Sequence, residues 1–525
     1  MGALHNIATQ ATSAITPYVG QKNAPLVLAA SAMGAAALVA LPLLSAPKKS
    51  NKNAPPMLPH LLPFIGNLLD FGLRPIDFLT ESYKKYGECF TFLMFGRHMT
   101  YVMGPEGNNF FFNAKLADVS AEEAYASLTI PVFGEGVVYD VDNSVLMEQK
   151  RMVKDTLTTN AFKSYVPMIV QETVEYLSKW DKSSGKADIF KAMSELTIMT
   201  ASRTLMGAEI RSKLDESVAQ LYHDLDGGFQ PINFLFEWLP LPQYFARDRA
   251  QKKLADLFKE IIRGRRASSE TTATDVLQGI MESTYKNGGK MTDDAIANFM
   301  IAILMAGQHT SSTTATWALL YLANDPQLQK LLIEEQSRVL TGKPDTPTSQ
   351  LPPLTYDAIK DLKLLEMTIK ETLRLRPPIF QIMRKVIRDV EYKGYIIPKG
   401  HYVCSSPAVS ALDPEKYPDP HKFDPTRHLE ASNAGDGGWV VRDFDIAEKS
   451  ARSHYLPFGA GRHRCIGEGF AYVQLKTVIA TILRLYQLDL VKNLDGSRKF
   501  PKQDFTSLIV MPEKPTIIEY TRRSD

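Results

Sequence analysis

The stretch FGAGRHRCIG, residues 458–467, places Cys465 in a glycine-rich loop at the start of a helix predicted over 466–485. Its basic neighbours and the helix N-terminus both lower the pKa of a thiol. Gly461 and Gly467 lack a Cβ, so the backbone can pass close to a large, flat group. A thiolate presented in this way suits an axial ligand of haem iron. The alternative interpretation is a reactive or redox-sensing cysteine in a helix-capping loop.

The spacing Phe-x-x-Gly-x-(Arg/His)-x-Cys-x-Gly is that of the cytochrome P450 family of haem-thiolate monooxygenases, which the chain resembles over almost its whole length after residue 50. The resemblance implies a fold that is mainly α with small β-sheets, in which a triangular catalytic domain encloses haem b. It implies Cys465 as the axial ligand of the iron, and Phe458, Gly459 and Gly467 as residues that contact the haem. It also implies that O2 is a co-substrate.

The sequence contains no flavin or nicotinamide fingerprint, so electrons from NADPH must arrive through a separate reductase. By resemblance, this partner is NADPH–cytochrome P450 reductase, with cytochrome b5 as a further donor. Arg462 and Arg464 are candidates for docking an acidic partner, and service to the haem is the alternative.

The composition gives no sign of a nucleic-acid partner, because 60 Lys and Arg are balanced by 58 Asp and Glu. The 25 Phe, 21 Tyr and 19 Met are ample for a large apolar interior. Cys89, Cys404 and Cys465 form no CxxC pair, which is typical of a reducing compartment and not of a disulfide framework. Cys89 and Cys404 fall in predicted strands, where a small buried hydrophobe is the favoured interpretation.

The N-terminal part differs from the rest of the chain. Residues 24–46 carry no charged side chain and would extend about 35 Å as a helix, enough to span a bilayer. Basic residues follow at Lys48, Lys49 and Lys52, and they predict a cytosolic side. A buried helix of a soluble protein is the alternative.

We therefore predict an amphipathic segment over 1–23, a transmembrane helix over 24–46, a basic and proline-rich linker over 47–66, and a catalytic domain over 67–525. The expected location is the endoplasmic reticulum membrane, with a single pass and the catalytic domain in the cytosol.

Hydrophobic patterns predict a helix-rich body with small sheets near each end. A hairpin is predicted over 88–103 with its break at Gly96-Arg97, and further strands over 392–397, 402–405, 507–511 and 516–520. Residues 431–453 are predicted to form a surface insertion.

One long helix is predicted over 292–324, with Thr292 as its N-cap. Its middle contains Gly307, which lowers helix stability, and Thr310, whose hydroxyl can bond the Ala306 carbonyl and loosen the helix. A groove with a free carbonyl and a hydroxyl suits the binding of O2 and the delivery of protons. Small residues for close packing of a buried helix are the alternative.

Within the family, this groove resembles the oxygen-activation motif, in which Thr310 matches the threonine. Most members carry an acid before it, whereas this chain has His309, and Gln-His-Thr-Ser resembles the sterol 14α-demethylase subfamily in its fungal form. The loop from Tyr125 to Asp140 matches the same subfamily. A histidine can relay protons near neutral pH, so His309 and Thr310 are the implied catalytic residues.

The resemblance assigns three further groups of residues. Partners for the haem propionates are implied at Tyr125, Tyr139, Lys150, Arg384 and His463. Apolar residues of the substrate chamber are implied at Leu128, Phe133, Phe229, Phe234, Phe380, Ile382, Met383 and Leu508. A structural charge cluster is implied at Glu371, Arg374 and Arg427. From the residues alone, each of these could equally be an ordinary core or surface residue.

The implied reaction removes the 14α-methyl group of lanosterol or eburicol in three oxidations, through alcohol and aldehyde, with loss of formate. It belongs to ergosterol-type sterol biosynthesis, and azole inhibitors are implied ligands. Phe380-Gln381 departs from the His-Ser pair of many fungal members, which leaves the contacts to sterol or azole open. The alternatives are a haem-thiolate monooxygenase acting on another lipid or a xenobiotic, and a non-catalytic membrane haem or sterol-binding protein.

Overall fold

A central helix organises the fold of this chain, which was analysed as a computed structural model. The structure describes residues 53–524 except 61, 181–182, 214–215, 231–232, 235–240, 269–273, 433–437, 442–449 and 494. The predicted segments 1–23 and 24–46 lie outside the described residues. Among the described residues, no helix has the length and apolarity needed to cross a membrane.

The α-helices supply most of the body, as predicted. In chain order they are α1 Leu68–Leu73, α2 Pro75–Tyr86, α3 Gly104–Asn113, α4 Glu122–Phe133, α5 Asn143–Thr156, α6 Thr159–Leu177, α7 Ile189–Ala201, α8 Ala208–Lys213, α9 Glu216–Asp226, α10 Pro242–Ala267, α11 Val276–Glu282, α12 Asp293–Asn324, α13 Pro326–Thr341, α14 Tyr356–Asp361, α15 Lys363–Leu375, α16 Pro407–Ser410 and α17 Glu468–Leu485.

The strands are short. They are β1 Cys89–Met94, β2 Arg97–Val102, β3 Val119–Ser120, β4 Ser184–Asp188, β5 Ile382–Val386, β6 Val390–Tyr392, β7 Tyr395–Ile397, β8 Tyr402–Ser405, β9 Leu429–Ala431, β10 Trp439–Val441, β11 Tyr486–Leu490, β12 Gln503–Asp504, β13 Met511–Pro512 and β14 Ile517–Arg522.

Helix α12 is the predicted long helix, and its 32 residues extend about 48 Å. The Thr292 hydroxyl accepts the Ala295 N–H, which confirms the predicted N-cap. Most of its side chains are buried on all sides, so the helix lies inside the core and not on the surface. It packs against α7, α10, α15 and α17, and it thereby brings distant parts of the chain to one interior.

The largest sheet has the strand order β1-β2-β8-β5-β3. Strands β1 and β2 form the predicted hairpin, and its turn uses positive φ angles at Phe95 and Gly96. Strand β8 lies parallel to β2 and antiparallel to β5. Cys89 and Cys404 are buried in β1 and β8, as predicted. Strand β5 carries Arg384 into the interior.

The second sheet has the order β11-β14-β4, and it joins the C-terminal strand to a strand that follows α6. The strand predicted over 507–511 is wrong for most of its length, since only Met511–Pro512 pairs, with Gln503–Asp504. Within the predicted insertion, the described residues include β10, which pairs antiparallel with β9.

Candidate functional site

The loop before α17 folds back on itself around Cys465. The Cys465 N–H donates to the Phe458 carbonyl at 2.9 Å, and residues 461–463 form a 3-10 turn. Gly459 and Gly461 adopt φ values of +67° and +61°, which favour glycine. A Cβ at Gly461 would lie 2.7 Å from the Phe112 carbonyl oxygen. Close approach therefore explains Gly461, although the neighbour that requires it is the backbone of α3.

Gly467 plays a different role from the one that the spacing predicts. Its φ of −85° is ordinary, and a Cβ there would only touch the Cys465 sulfur at 3.8 Å. Its N–H bonds the sulfur and favours the thiolate. Helix α17 begins at Glu468, two residues after the predicted start.

The environment of Cys465 acts on its thiol in two directions. Burial raises the pKa of Cys465, whereas the Gly467 N–H, Lys150 and Arg464 lower it. The predicted lowering influences are therefore present, but burial outweighs them. Cys465 is nevertheless accessible at its surface, so a ligand can reach it. A thiol in this setting becomes a thiolate when a bound cation takes over its charge.

Three cations surround His463 beside this loop. Burial and then Arg384, Lys150 and Arg462 lower the pKa of His463 to about 3. Arg384 is buried, lies 4.9 Å from the Phe111 ring and donates to the Met383 carbonyl. Within the described part of the chain, none of these three cations has an acidic side chain in ion-pair contact. We call Arg384 and Lys150, which are both predicted propionate partners, the cationic pocket.

Tyr125 and Tyr139 lie beside His463 and the cationic pocket. The Tyr125 and Tyr139 rings stack at 5.4 Å, and the Tyr139 ring lies 6.4 Å from that of His463. The Tyr125 hydroxyl oxygen accepts the Met383 N–H at 2.9 Å. Burial raises the pKa of both tyrosines, while Arg384 lowers it. The five residues predicted as propionate partners thus converge from α4, the 138–140 turn, α5, β5 and the cysteine loop.

The cationic pocket provides a test of the haem assignment. Lys150 satisfies its ammonium with the carbonyls of Arg462 and Arg464, at 2.9 and 2.8 Å. Buried cations without acids are costly, and carboxylates from a ligand would form charge-assisted bonds with them. A haem brings two such carboxylates, and a thiolate at Cys465 would suit its iron. The residues present therefore fit haem.

The middle of α12 is the place of the predicted oxygen groove, and it shows the contact that was predicted there. The Thr310 hydroxyl donates to the Ala306 carbonyl at 2.7 Å, as predicted. Ala306 is exposed although its helix is otherwise buried, and a Cβ at Gly307 would meet nothing within 4 Å. Close packing of small residues does not explain these positions, because they face open space.

His309 has a partner that the sequence does not reveal. Its Nε2 lies 2.6 Å from Oδ1 of Asp226, at the end of α9, in ion-pair contact but without a well-angled hydrogen bond. Asp226 is 83 positions earlier in the chain and stands in no recognisable motif. Only the packing of α9 beside α12 brings the two together.

The predicted chamber residues fall into three groups. Leu128, Phe234 and Phe380 are buried in one apolar cluster, against which Met383 and Leu508 pack. Phe133 and Phe229 belong to the central cluster, with rings 5.6 Å apart. Ile382 packs in a third cluster, because neighbours in strand β5 point to opposite faces.

Gln381 lies beside the first of these clusters. Its side-chain oxygen accepts a hydrogen bond from the Tyr101 hydroxyl, and Tyr101 is buried with its ring stacked on Phe90 and Phe92.

The structure joins the three residues of the predicted charge cluster. Arg374 donates two hydrogen bonds to Glu371, both of 2.8 Å, and Arg427 donates a third at 3.0 Å. Arg374 also donates to the carbonyls of Ala411 and Pro420. The Glu371 and Arg374 side chains are buried, so this pair is unlike a solvated surface bridge.

Comparisons with known proteins place this geometry in context. A family model described as Cytochrome P450 matches residues 55–520. Among solved structures, retinoic acid-bound cyanobacterial CYP120A1 superposes with a TM-score of 0.71 at 20% identity, covering 90% of this chain and all of that one. That likeness concerns the fold, which is mainly helical with small sheets.

Curated relatives are more similar in sequence. A Cunninghamella elegans protein named lanosterol 14-alpha demethylase is 47% identical over 483 residues, or 90% of this chain and 92% of its own. The Homo sapiens protein of that name is 47% identical, covering 90% and 87%. Its Eremothecium gossypii counterpart is 44% identical, covering 90% and 89%.

Proposed function

The chain belongs to the cytochrome P450 family, and we propose on that basis that it is a sterol 14α-demethylase, a monooxygenase that removes the 14α-methyl group of lanosterol or eburicol. The observation that carries this proposal is the pairing of the Cys465 loop with the cationic pocket, in a chain so similar to named lanosterol 14-alpha demethylases. Three successive oxidations lead through alcohol and aldehyde to formate and a ring double bond.

Haem, when bound, supplies the activation of O2 for each oxidation. Cys465 would hold its iron, with the Gly467 N–H supporting the sulfur. Arg384, Lys150 and His463 would hold the propionates, together with the hydroxyls of Tyr125 and Tyr139. Phe458 and Gly459 belong to the same loop, whose backbone holds the cysteine in place.

Proton delivery falls to the middle of α12. The Thr310 hydroxyl is tied to the Ala306 carbonyl and can pass a proton without leaving the helix. His309 contacts Asp226, whose side chain is partly exposed and connects the histidine with the protein surface. An imidazole can both accept and donate a proton, so His309 can replenish the proton that Thr310 hands on.

The substrate is positioned by apolar burial. The cluster of Leu128, Phe234 and Phe380, with Met383 and Leu508, offers the wall for a rigid sterol, and Phe133 and Phe229 extend it. Burial of such surface stabilises the complex by about 25 cal/mol per Å2. Azole inhibitors are proposed to occupy the same chamber.

The proposal includes the membrane and the electron donors. Residues 24–46 form a single-pass anchor in the endoplasmic reticulum membrane, and the catalytic domain faces the cytosol, where NADPH–cytochrome P450 reductase or cytochrome b5 docks.

Reconstitution of the haem-loaded protein with reductase, NADPH and either lanosterol or eburicol tests the reaction. We expect the demethylated sterol and one formate per turnover. Cys465→Ala should abolish the CO difference spectrum typical of thiolate ligation. Turnover of fatty acids or xenobiotics without any sterol product, or an unchanged spectrum in the variant, would contradict the proposal.

A further inference from the structure

The side chain of Arg464, next to the cysteine, bonds both ends of the cysteine loop. Its Nη2 and Nε bond Oε2 of Glu468, at 2.6 and 3.1 Å, and its Nη1 donates to the Gly459 carbonyl at 3.3 Å. One guanidinium therefore connects the start of the loop with the first turn of α17. Both side chains of the ion pair are about three-quarters buried.

This brace acts together with two other bonds. The Cys465 N–H donates to the Phe458 carbonyl, and Lys150 donates to the carbonyl of Arg464 itself. The backbone is therefore held at Cys465 itself and at Arg464, the residue before it. Loss of the guanidinium would loosen the chain between Gly459 and Glu468, because no other side chain in the described residues bridges those two points.

Arg462 differs from Arg464 in each respect. It is partly exposed, and in the described part of the chain its side chain forms no ion pair and no hydrogen bond. The charge of Arg464 is already neutralised by Glu468, whereas that of Arg462 is available to an acidic partner.

We propose that Arg464 is a positioning residue that holds Cys465 in register with the iron, and that Arg462 is the docking cation of this loop. The inference rests on the proposed haem-thiolate function. It separates two neighbouring arginines that the sequence leaves equivalent. The planar fork of Arg464 matters more than its charge, because only a guanidinium reaches Gly459 and Glu468 together.

The test uses haem-loaded, full-length Arg464→Lys, Glu468→Gln and Arg462→Ala. We measure the rate at which the thiolate-type CO complex is lost on mild warming, and the reductase concentration that gives half-maximal turnover. Loss of the guanidinium fork in Arg464→Lys, and of the carboxylate charge that it binds in Glu468→Gln, should each accelerate the loss about three- to five-fold. The half-saturating reductase concentration should stay within about two-fold of wild type in both variants.

Arg462→Ala is the matched control, and it should show the reverse. Its thiolate complex should persist like that of wild type, while it needs several-fold more reductase. A wild-type rate of loss in both Arg464→Lys and Glu468→Gln overturns the inference. So does a reductase requirement that rises in Arg464→Lys as far as in Arg462→Ala. Absence of the thiolate-type complex from the wild type overturns the proposed function instead, which separates the two failures.

Discussion

Two groups of buried charge lie in this protein, and they are built on opposite principles. In the cluster of Glu371, Arg374 and Arg427, both guanidiniums bond the same carboxylate and also backbone carbonyls, so each cation has an anionic partner within the chain. In the cationic pocket, Arg384 and Lys150 meet no acid among the described residues. The first group completes a fold, whereas the second is complementary to something that the chain does not itself supply.

The largest expected effect comes from breaking the charge cluster of Glu371, Arg374 and Arg427. Glu371→Gln leaves Arg374 buried without its anion, which costs about 3–5 kcal/mol of folding free energy. Urea unfolding of the haem-free protein measures this loss. Glu334→Gln is the matched control, because its carboxylate pairs with Lys330 at an exposed site. An equal effect of the two substitutions would show that the cluster has no special role in stability.

The cationic pocket should respond in the opposite way. Arg384→Leu removes one of the proposed propionate partners, and haem should dissociate about 10- to 100-fold faster, as expected for a lost charge-assisted hydrogen bond. The free energy of unfolding of the haem-free protein should not fall, because the substitution also removes an unpaired buried cation. Transfer of haem to apomyoglobin measures the first quantity and urea unfolding the second. Lys385→Leu, on the opposite face of β5, should leave haem loss unchanged.

The buried carboxylate of Glu335, on α13, contacts the start of α15 and should make the stability of the protein depend on pH. Glu335 accepts the N–H groups of Leu364 and Leu365, and burial raises its pKa to about 7. Since the unfolded value is about 4.5, the folded state binds the extra proton, and stability falls as pH rises from about 5 to 8.

Glu335→Gln should not show this loss of stability. Its free energy of unfolding, relative to that of wild type, should therefore rise by about 2 kcal/mol from pH 5 to pH 8. Urea unfolding at a series of pH values checks the sign. A difference between variant and wild type that does not change with pH would show that Glu335 keeps its ordinary pKa in the fold.

The smallest expected effect concerns the ion pair of His309 and Asp226, which belongs to neither of the two groups. Asp226→Asn should lower sterol turnover about 10-fold and leave the sterol dissociation constant unchanged, because a relay residue acts on proton transfer and not on binding. The solvent deuterium isotope effect on turnover should rise. Asp224→Asn, two residues earlier on α9, is the control and should behave as wild type. Weaker sterol binding with normal turnover in Asp226→Asn would assign Asp226 to packing.

How far the sequence leads depends on whether a residue's partner is local. Thr310 and the Ala306 carbonyl, four residues apart on one helix, were predicted together because helical geometry alone brings them into contact. The same holds for Thr292 and Ala295 at the start of α12. Asp226 could not be predicted, since its contact with His309 depends on how α9 packs in the tertiary structure.

Two other differences have equally concrete causes. The influences that lower the pKa of Cys465 were visible in its neighbours, but the burial that outweighs them is a property of the whole fold. Ile382 and Met383 are adjacent in the sequence and were predicted together, yet strand alternation sends them to different clusters. Family resemblance placed Glu371 and Arg374 in a structural charge cluster, whereas their spacing alone is typical of a surface pair and did not reveal their burial.

The proline-rich stretch that precedes α1 has a mechanical consequence. Thr91 of β1 donates its N–H to the carbonyl of Pro56 and accepts the N–H of Leu58, both at 2.8 Å, so the chain is fastened to the main sheet from residue 56 onward. On our proposal that the membrane span ends at residue 46, only about ten residues remain as a leash, whose reach is at most about 35 Å. That short linker would keep the sheet that contains Arg384 close to the bilayer surface. A substrate dissolved in the lipid would then have a short distance to travel.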